Sequence, residues 1–323
     1  MLSRRVLRIK VMQALYSFFQ GGDDKLDKAG KLMMHNTEKI YDLYIHQLSV
    51  LIEIRDVALG VLEGGKAKYF PTDQEKNPVM KFVNNRVIRY FDNNNDFRRH
   101  FEALRINWAD DKELFRRLFY QIRETEEYKE YMSSPKDHFE EDRRFVINLF
   151  KDHIADHEEL QQIYEERNIF WADDYDIVSY MIIKTMNGLS ARMDEHEPLP
   201  GLFLKAGEGE EDELEDKSFM LELFRKTILN AEKYDQWIAE KAENWELERI
   251  AFMDNLLLRM ALCELISFPS IPVKVTMNEY IEISKIYSTA KSRLFINGVL
   301  DKLIVEMKEK KLIRKSGRGL LED

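Results

Sequence analysis

The stretch Ser292-Arg-Leu-Phe-Ile-Asn-Gly-Val-Leu-Asp-Lys302 places an Asn-Gly pair inside an otherwise helical pattern. Apolar residues recur here at a spacing of three to four, which predicts one buried face of an amphipathic helix. These residues are Phe295, Ile296, Val299, Leu300, Leu303, Ile304 and Met307. Gly298 costs a helix interior about 1 kcal/mol relative to Ala. We therefore expect another backbone, or a ligand, to approach it closely.

The composition of the whole chain predicts an all-α protein. Its 323 residues include only 13 Gly and 7 Pro, and no sustained alternation of Val, Ile and Thr is present. The single cysteine, Cys263, lies in an apolar run and is interpreted as a buried small hydrophobe. One cysteine excludes an intramolecular disulfide and fits a cytoplasmic location. No membrane span and no secretory signal are predicted.

Charge is distributed unevenly along the chain. The net charge of −10 argues against a general nucleic-acid binder. Basic residues concentrate in residues 1–20 and 308–318, whereas residues 207–216 hold seven acids in ten. Arg4, Arg5 and Arg8 lie at the start of a predicted helix, where positive charge opposes the helix dipole. This placement suggests an external anion, and a merely solvated helix start is the alternative.

A weak internal repeat organises the middle of the chain. Phe82 to Trp108 and Phe145 to Trp171 each span 26 residues, and the two Trp are 63 apart. A looser third copy ends at Trp245. We interpret each copy as a helical hairpin with its Trp at the corner. The predicted segments are an Arg-rich helix (1–21), an inserted helical region with Trp-Ala-Asp-Asp repeats (22–193), an acidic linker (194–217), a helical domain (218–310) and a basic tail (311–323).

Several motifs are interpreted structurally rather than as metal sites. The acid pairs Asp110-Asp111 and Asp173-Asp174 are expected to cap helices, with Asp110 and Glu113 at capping-box spacing, rather than to bind Mg²⁺. His153 and His157 are expected to be solvated surface residues rather than a metal pair. Neither a phosphate-binding glycine loop nor a nucleophile elbow is present, so no enzyme, metal or cofactor is predicted.

Two helix starts are predicted in the last part of the chain. Thr276-Met-Asn-Glu279 has the spacing of a capping box that restarts a helix after Pro272. Ser292 is expected to cap the final helix.

Taken together, four motifs resemble the NusB family of transcription antitermination factors. They are Arg4-Arg-Val-Leu-Arg8 followed by Gln13-Ala-Leu-Tyr16, Leu258-Arg-Met-Ala-Leu-Cys-Glu-Leu265, Ile271-Pro-Val-Lys-Val-Thr-Met-Asn-Glu279 and Phe295-Ile-Asn-Gly-Val-Leu-Asp-Lys302. The resemblance covers about 110 of the 323 residues. Residues 22–217 have no counterpart in it.

The resemblance implies an all-α bundle of two subdomains, here with an extra inserted helical region. It implies binding of the boxA element of ribosomal RNA together with NusE, a ribosomal protein that doubles as an elongation factor, in the RNA polymerase elongation complex. The RNA-binding residues so implied are Arg4, Arg5, Arg8, Tyr16, Lys274, Lys291, Phe295 and Asn297. The partner-binding residues so implied are Tyr16, Asp254 and Arg259. Phe295 either stacks on a base or packs in the core.

The family often has an acidic pair just before the position of Ser292, where this chain has Ala290-Lys291. This difference should favour RNA binding. A helical interaction scaffold with weak or lost RNA binding is the alternative function. A third hypothesis is a NusB-like domain preceding an RNA methyltransferase. It requires a cofactor-binding domain, for which the roughly 20 residues after Lys302 are too few.

Overall fold

The computed structural model describes residues 2–22, 25–203, 214–242 and 251–321. Within these ranges all regular secondary structure is helical, which confirms the predicted all-α class. The α-helices in chain order are α1 (Arg4–Gly21), α2 (Leu26–Lys66), α3 (Asp73–Lys76), α4 (Arg86–Asn93), α5 (Asn95–Ala103), α6 (Lys112–Glu124), α7 (Glu126–Ser133), α8 (Phe139–Phe150), α9 (Glu158–Arg167), α10 (Tyr175–Gly188), α11 (Leu214–Leu229), α12 (Ala231–Lys241), α13 (Phe252–Ser267), α14 (Val273–Tyr287) and α15 (Ser292–Glu309). Trp245 and most of the acidic run 207–216 lie outside the described residues.

The chain divides into two compact units. The first comprises Glu38–Leu202, and the second combines Leu2–Thr37 with Phe203–Asp323. Helix α2 contributes to both, because the division falls within it. None of the helices in the described ranges combines the length and the apolar character needed to cross a bilayer. The division of the sequence into five functional segments stays a prediction.

In the first unit, the two Trp-Ala-Asp-Asp copies carry equivalent helices. Helix α5 begins 63 residues before α9, and α6 begins 63 residues before α10, the same spacing as between Trp108 and Trp171. Both indoles are buried and donate their N–H groups to α2 at 2.8 Å, Trp108 to the Ser49 hydroxyl and Trp171 to the Lys39 carbonyl. The His46 ring contacts both indoles. Each Trp therefore fixes its helical corner to the same long helix.

The predicted capping role of Asp110 is wrong. The N-cap position of α6 belongs to Asp111, and no side-chain capping bond forms there. Asp110 lies in a 3-10 turn that precedes α6. The α-helix therefore starts one residue later than a cap at Asp110 would require. The Asp111 carboxylate instead accepts a hydrogen bond from Arg167 at 2.8 Å. Asp174 occupies the N-cap position of α10, also without a side-chain capping bond.

The histidine pair is half-buried rather than freely solvated, contrary to the prediction. His153 lies in a π-helical segment, Lys151–Ala155, and burial lowers its pKa. His157 caps α9 by accepting a hydrogen bond from the Leu160 amide. Within the described ranges, no group of three or more His, Cys, Asp or Glu side chains is placed to hold a metal ion.

Helix α13 forms the centre of the second unit. Its residues 256–265 are almost entirely buried, because α1, α11, α12, α14 and α15 all pack against it. A helix that is buried on every side is expected to be apolar all round. Cys263 is fully buried there, and burial raises the pKa of its thiol to about 11. The thiol is accordingly a small core group.

Two predicted helix starts in this unit are wrong. Helix α14 begins at Val273, directly after Pro272, so Thr276 and Glu279 lie inside it and form no capping box. The Thr276 hydroxyl donates to the Glu264 carboxylate at 2.8 Å instead. Ser292 is the first residue of α15 rather than its N-cap, and its hydroxyl accepts a hydrogen bond from the Thr289 amide.

Candidate nucleic-acid interface

A groove of about 1150 Å³ in the second unit brings the two basic ends of the chain together. Its walls are the start of α1, the start of α11, the connection between α13 and α14, and the C-terminal segment. Acidic residues line the groove beside basic ones, so it is not a uniformly basic patch. Its charged lining consists of Arg4, Arg5, Arg8, Arg318, Glu215, Glu222 and Glu279.

Arg8 lies at the buried base of this groove. Its side chain is 2% exposed and donates two hydrogen bonds of 2.7 Å to the Glu264 carboxylate, which is 0% exposed. The hydroxyls of Thr276 and Tyr280 donate to the same carboxylate at 2.8 and 3.2 Å. Burial by itself lowers the pKa of Arg8, but the hydrogen bonds and charge of Glu264 outweigh it and raise that pKa. Arg8 therefore stays protonated, and its bonds tie α1 to α13 and α14.

Arg4 and Arg5 are also paired with acids but remain partly exposed. Arg5 donates to both oxygens of Glu279 at 2.8 and 2.9 Å, and this bonding raises the pKa of Arg5. Arg4 pairs with Glu215 at 2.7 Å and with Asp216 at 2.9 Å. Its guanidinium lies 4.6 Å from the centroid of the Phe219 ring. Both arginines are thus held in fixed orientations at the wall of the groove.

The structure corrects the expectation drawn from the helix dipole. Each arginine at the start of α1 has an internal carboxylate partner, so an external anion is not needed to explain the cluster. Arg8 is in addition unavailable for direct contact with RNA, because its guanidinium is buried against Glu264. Arg4 and Arg5 keep an exposed face and can still reach a phosphate.

The start of α15 contributes fewer exposed groups than the resemblance implies. Phe295 is only 6% exposed, so it packs in the core and is not available to stack on a base. Asn297 is half-buried and donates from its amide to Asp301 at 3.0 Å. Lys291, just before the helix, is exposed. Of these three residues, Lys291 presents the most accessible donor.

Gly298 lies inside α15 rather than in a turn. A Cβ built on it would meet no heavy atom within 4 Å. Among the described residues, no neighbouring helix backbone makes the expected close approach to this glycine.

The residues expected to bind a partner protein lie on α1 and α13 of the same unit, and none of them lines the arginine groove. Tyr16 is 44% exposed, and its ring meets that of Phe252 edge-on at 5.4 Å. Asp254 is buried and accepts a hydrogen bond from the Ser288 hydroxyl. Direct contact between Asp254 and a partner is thus inconsistent with its burial.

Arg259 is similarly engaged within the unit. It donates to both oxygens of Asp235 at 2.6 Å, and its guanidinium lies 4.9 Å from the centroid of the Phe19 ring. This bidentate pairing ties α13 to α12. Among Tyr16, Asp254 and Arg259, Tyr16 therefore has the most accessible side chain.

Lys274 is exposed on the first turn of α14. It lines a smaller groove of about 490 Å³ together with Lys308 and Lys315. This smaller groove also lies within the second unit. Basic residues that the resemblance implies for RNA binding therefore line two different grooves of that unit.

Sequence reasoning missed the acids that pair with the arginines. Glu264 stands alone in an apolar run of α13, and a charge buried without a partner is strongly unfavourable. That isolation could have indicated a cationic partner, but not which one. Glu279 carried no such signal, because it was interpreted as part of a capping box. Arg318 was counted only as one residue of a basic tail.

Comparison with known proteins identifies the family of this chain. The sequence model of the NusB family matches residues 180–305. The transcription antitermination protein NusB of Chloroherpeton thalassium is 43% identical over 110 residues, which is 34% of this chain and 52% of that protein. The chain thus spans about half the length of that relative.

Two further relatives match at similar identity. NusB of Salinibacter ruber is 44% identical over 105 residues, covering 32% of this chain and 66% of that protein. NusB of a Geobacter species is 39% identical over 107 residues, covering 32% of this chain and 74% of that protein. No solved structure gives a significant match. With most of the Geobacter protein covered at this identity, the chain belongs to the NusB family.

Proposed function

We propose that the chain is a cytoplasmic, RNA-binding transcription antitermination factor without catalytic activity. It acts on boxA-type single-stranded RNA of the ribosomal RNA leader together with NusE. The observation that carries this proposal is the groove in which the exposed faces of Arg4 and Arg5 are held in place by carboxylates and by Phe219.

Arg4 and Arg5 keep free N–H donors although both are paired with acids. A guanidinium carries five N–H donors. Arg5 uses its Nε and one Nη2 hydrogen on Glu279, which leaves donors for a phosphate oxygen. A guanidinium that is already fixed loses less side-chain entropy when it binds. The carboxylates reduce the net attraction, so affinity depends on further cations and on a partner protein.

The remaining contacts are assigned by exposure. Lys274 and Lys291 are exposed and serve as phosphate contacts, and Asn297 is a half-buried amide at the start of α15. Tyr16 lies on the surface that receives NusE, and Asp254 and Arg259 hold that surface in shape. The names of the relatives support a role in transcription antitermination. In the proposed function, the chain acts within the RNA polymerase elongation complex.

Salt-dependent RNA binding tests this function. The binding constant of a short boxA-like RNA is measured from low to high salt, with and without NusE, against a scrambled RNA of the same composition. The variant Arg4→Gln/Arg5→Gln should flatten the log–log salt slope by about 0.7 for each lost phosphate contact. Arg117→Gln is the matched control, since Arg117 forms an exposed ion pair with Glu159 in the other compact unit.

Two results would overturn the proposal. One is the absence of measurable RNA affinity with NusE present. The other is an Arg4→Gln/Arg5→Gln variant whose salt slope equals that of the wild type and of Arg117→Gln.

The alternative function, a helical interaction scaffold, rests on the unit formed by Glu38–Leu202. Most of this unit lies outside the family match. Tyr69 and Phe70, which follow α2, are 91% and 85% exposed and pair edge-on at 4.7 Å. Exposed aromatics of this kind favour protein contacts. Failure of RNA binding in the experiment above would leave this function as the better proposal.

A further inference from the structure

The C-terminal segment 311–321 is built into the wall of the arginine groove. It follows α15 and lies beyond residue 305, where the family match ends. The Ser316 amide donates to the Pro269 carbonyl at 3.0 Å, and the Lys315 Nζ donates to the Phe268 carbonyl at 3.0 Å. Both acceptors belong to the connection between α13 and α14. The segment is thus docked on the connection that lines the groove.

Gly319 allows this docking by its lack of a side chain. A Cβ at this position would lie 1.9 Å from the Pro269 carbonyl oxygen, closer than any real contact. The obstructing atom is backbone, so it cannot rotate away as a flexible side chain could. Lys315 is partly buried in the docked segment, and burial lowers its pKa to about 8. Any residue larger than Gly at 319 must push the segment off the connection.

Docking places Arg318 in the same groove as Arg4 and Arg5. Arg318 is exposed. Among the residues that the structure describes, no carboxylate lies within 4 Å of its guanidinium, whereas each of the three α1 arginines has such a partner. A phosphate that binds a paired arginine shares it with a carboxylate. A phosphate that binds Arg318 does not share the guanidinium with any described carboxylate within 4 Å.

We propose that segment 311–321 is a working part of the RNA site, with Arg318 as its phosphate-binding group and Gly319 as the residue that lets it dock. This inference rests on the proposed RNA-binding function and extends it to the C-terminal segment. The ligand chemistry is the phosphodiester backbone of single-stranded RNA. In this arrangement the α1 arginines orient and shape the groove, and the C-terminal segment supplies a cation that forms no ion pair with a described carboxylate.

The test compares three single variants in the full-length protein. Arg318→Gln removes the charge, Gly319→Val removes the docking, and Arg314→Gln is the matched control. Arg314 is exposed in the same segment and does not line the groove. Each variant is titrated with the boxA-like RNA in the presence of NusE across the salt series. Hydrogen–deuterium exchange of the Ser316 amide, measured without RNA, reports docking of the segment independently.

We expect Arg318→Gln to weaken RNA binding roughly fivefold at low salt and to flatten the salt slope by about 0.7. Gly319→Val should expose the Ser316 amide to exchange and cause the same loss of affinity. The combined Arg318→Gln/Gly319→Val variant should lose no more than either alone. Arg314→Gln should keep the wild-type slope and the wild-type exchange rate.

Three outcomes would overturn this inference while the proposed function stands. The wild type could bind RNA while Arg318→Gln keeps the wild-type affinity and salt slope. Arg314→Gln could weaken binding as much as Arg318→Gln, which would reduce the effect to general charge. Gly319→Val could release the segment and raise affinity, which would make the segment an occluding element. A wild type without measurable RNA affinity would overturn the proposed function and this inference together.

Discussion

Replacing Arg8 with Met removes the cation from the buried pair that joins α1 to α13. The side chains of Arg8 and Glu264 are 2% and 0% exposed, so water cannot solvate the carboxylate that is left behind. The two hydroxyls that also donate to Glu264 soften the loss but carry no charge to balance it. Removing one partner of a buried ion pair costs about 3–5 kcal/mol. We expect a loss of this size in the unfolding free energy of the second unit.

Arg5→Met is the matched control for this prediction. Arg5 belongs to the same helix and makes the same kind of bidentate bond to a glutamate, but its side chain is 43% exposed. Exposed ion pairs contribute roughly 0.2–1 kcal/mol. The comparison of the two variants therefore isolates the effect of burial from the effect of losing an arginine.

A double variant tests the physical cause. In Arg8→Met/Glu264→Gln no charge is left buried, so this protein should be at least about 1 kcal/mol more stable than Arg8→Met alone, within the range of coupling between contacting residues. Urea-dependent hydrogen exchange of peptides from α1 and α13 measures these values in the second unit alone. The reasoning would be refuted if Arg8→Met cost no more than Arg5→Met, or if the double variant were less stable than Arg8→Met.

Three further predictions concern single residues. Burial lowers the pKa of His46 from 6.5 to about 4. Between pH 6.5 and pH 4, this histidine therefore binds a proton in the unfolded chain but not in the folded one. Stability of the first unit should be complete above pH 6.5 and fall by about 3 kcal/mol by pH 4; His46→Gln should flatten this loss in urea titrations at several pH values. Gly298→Ala should raise the unfolding free energy by about 0.5–1 kcal/mol, because position 298 is helical and has open space for a Cβ. Lower RNA affinity in this more stable variant would support close approach of RNA to Gly298. Lower stability would show that a Cβ at position 298 is not accommodated. Trp171→Phe should lower the unfolding free energy of the first unit by about 0.5–1.5 kcal/mol, because the indole bond to the Lys39 carbonyl is lost while that carbonyl keeps its helical partner; hydrogen exchange of α2 peptides as slow as in wild type would contradict this.

The helical class and the family could be predicted from the sequence because both depend on local patterns. Apolar residues at helical spacing gave α15 its buried face, and Phe295, Ile296 and Val299 are indeed buried. The Arg-rich start of α1 and the Phe295-Ile-Asn-Gly motif identified the family without any tertiary information. The 63-residue spacing of the two Trp likewise corresponded to equivalent helices.

Helix starts were less predictable, because a capping pattern is only a few residues long. Thr276 and Glu279 have capping-box spacing, yet the chain continues helical from Val273 and both side chains bond across to other elements. Tertiary partners outcompeted the local cap. The same holds for Asp111, whose carboxylate binds Arg167 rather than a backbone amide of its own helix.

The sequence alone determined that this protein is all-helical, that it belongs to the NusB family and that its basic charge lies at its two ends. Only the tertiary structure decided what those charges do. Arg8 and Glu264 are 256 residues apart, and no local spacing relates them. Arg318 reaches the groove of Arg4 and Arg5 because Gly319 lets the chain pass against Pro269. Ion pairing and burial depend on which segments meet in space, and that is set by the packing of the whole unit around α13.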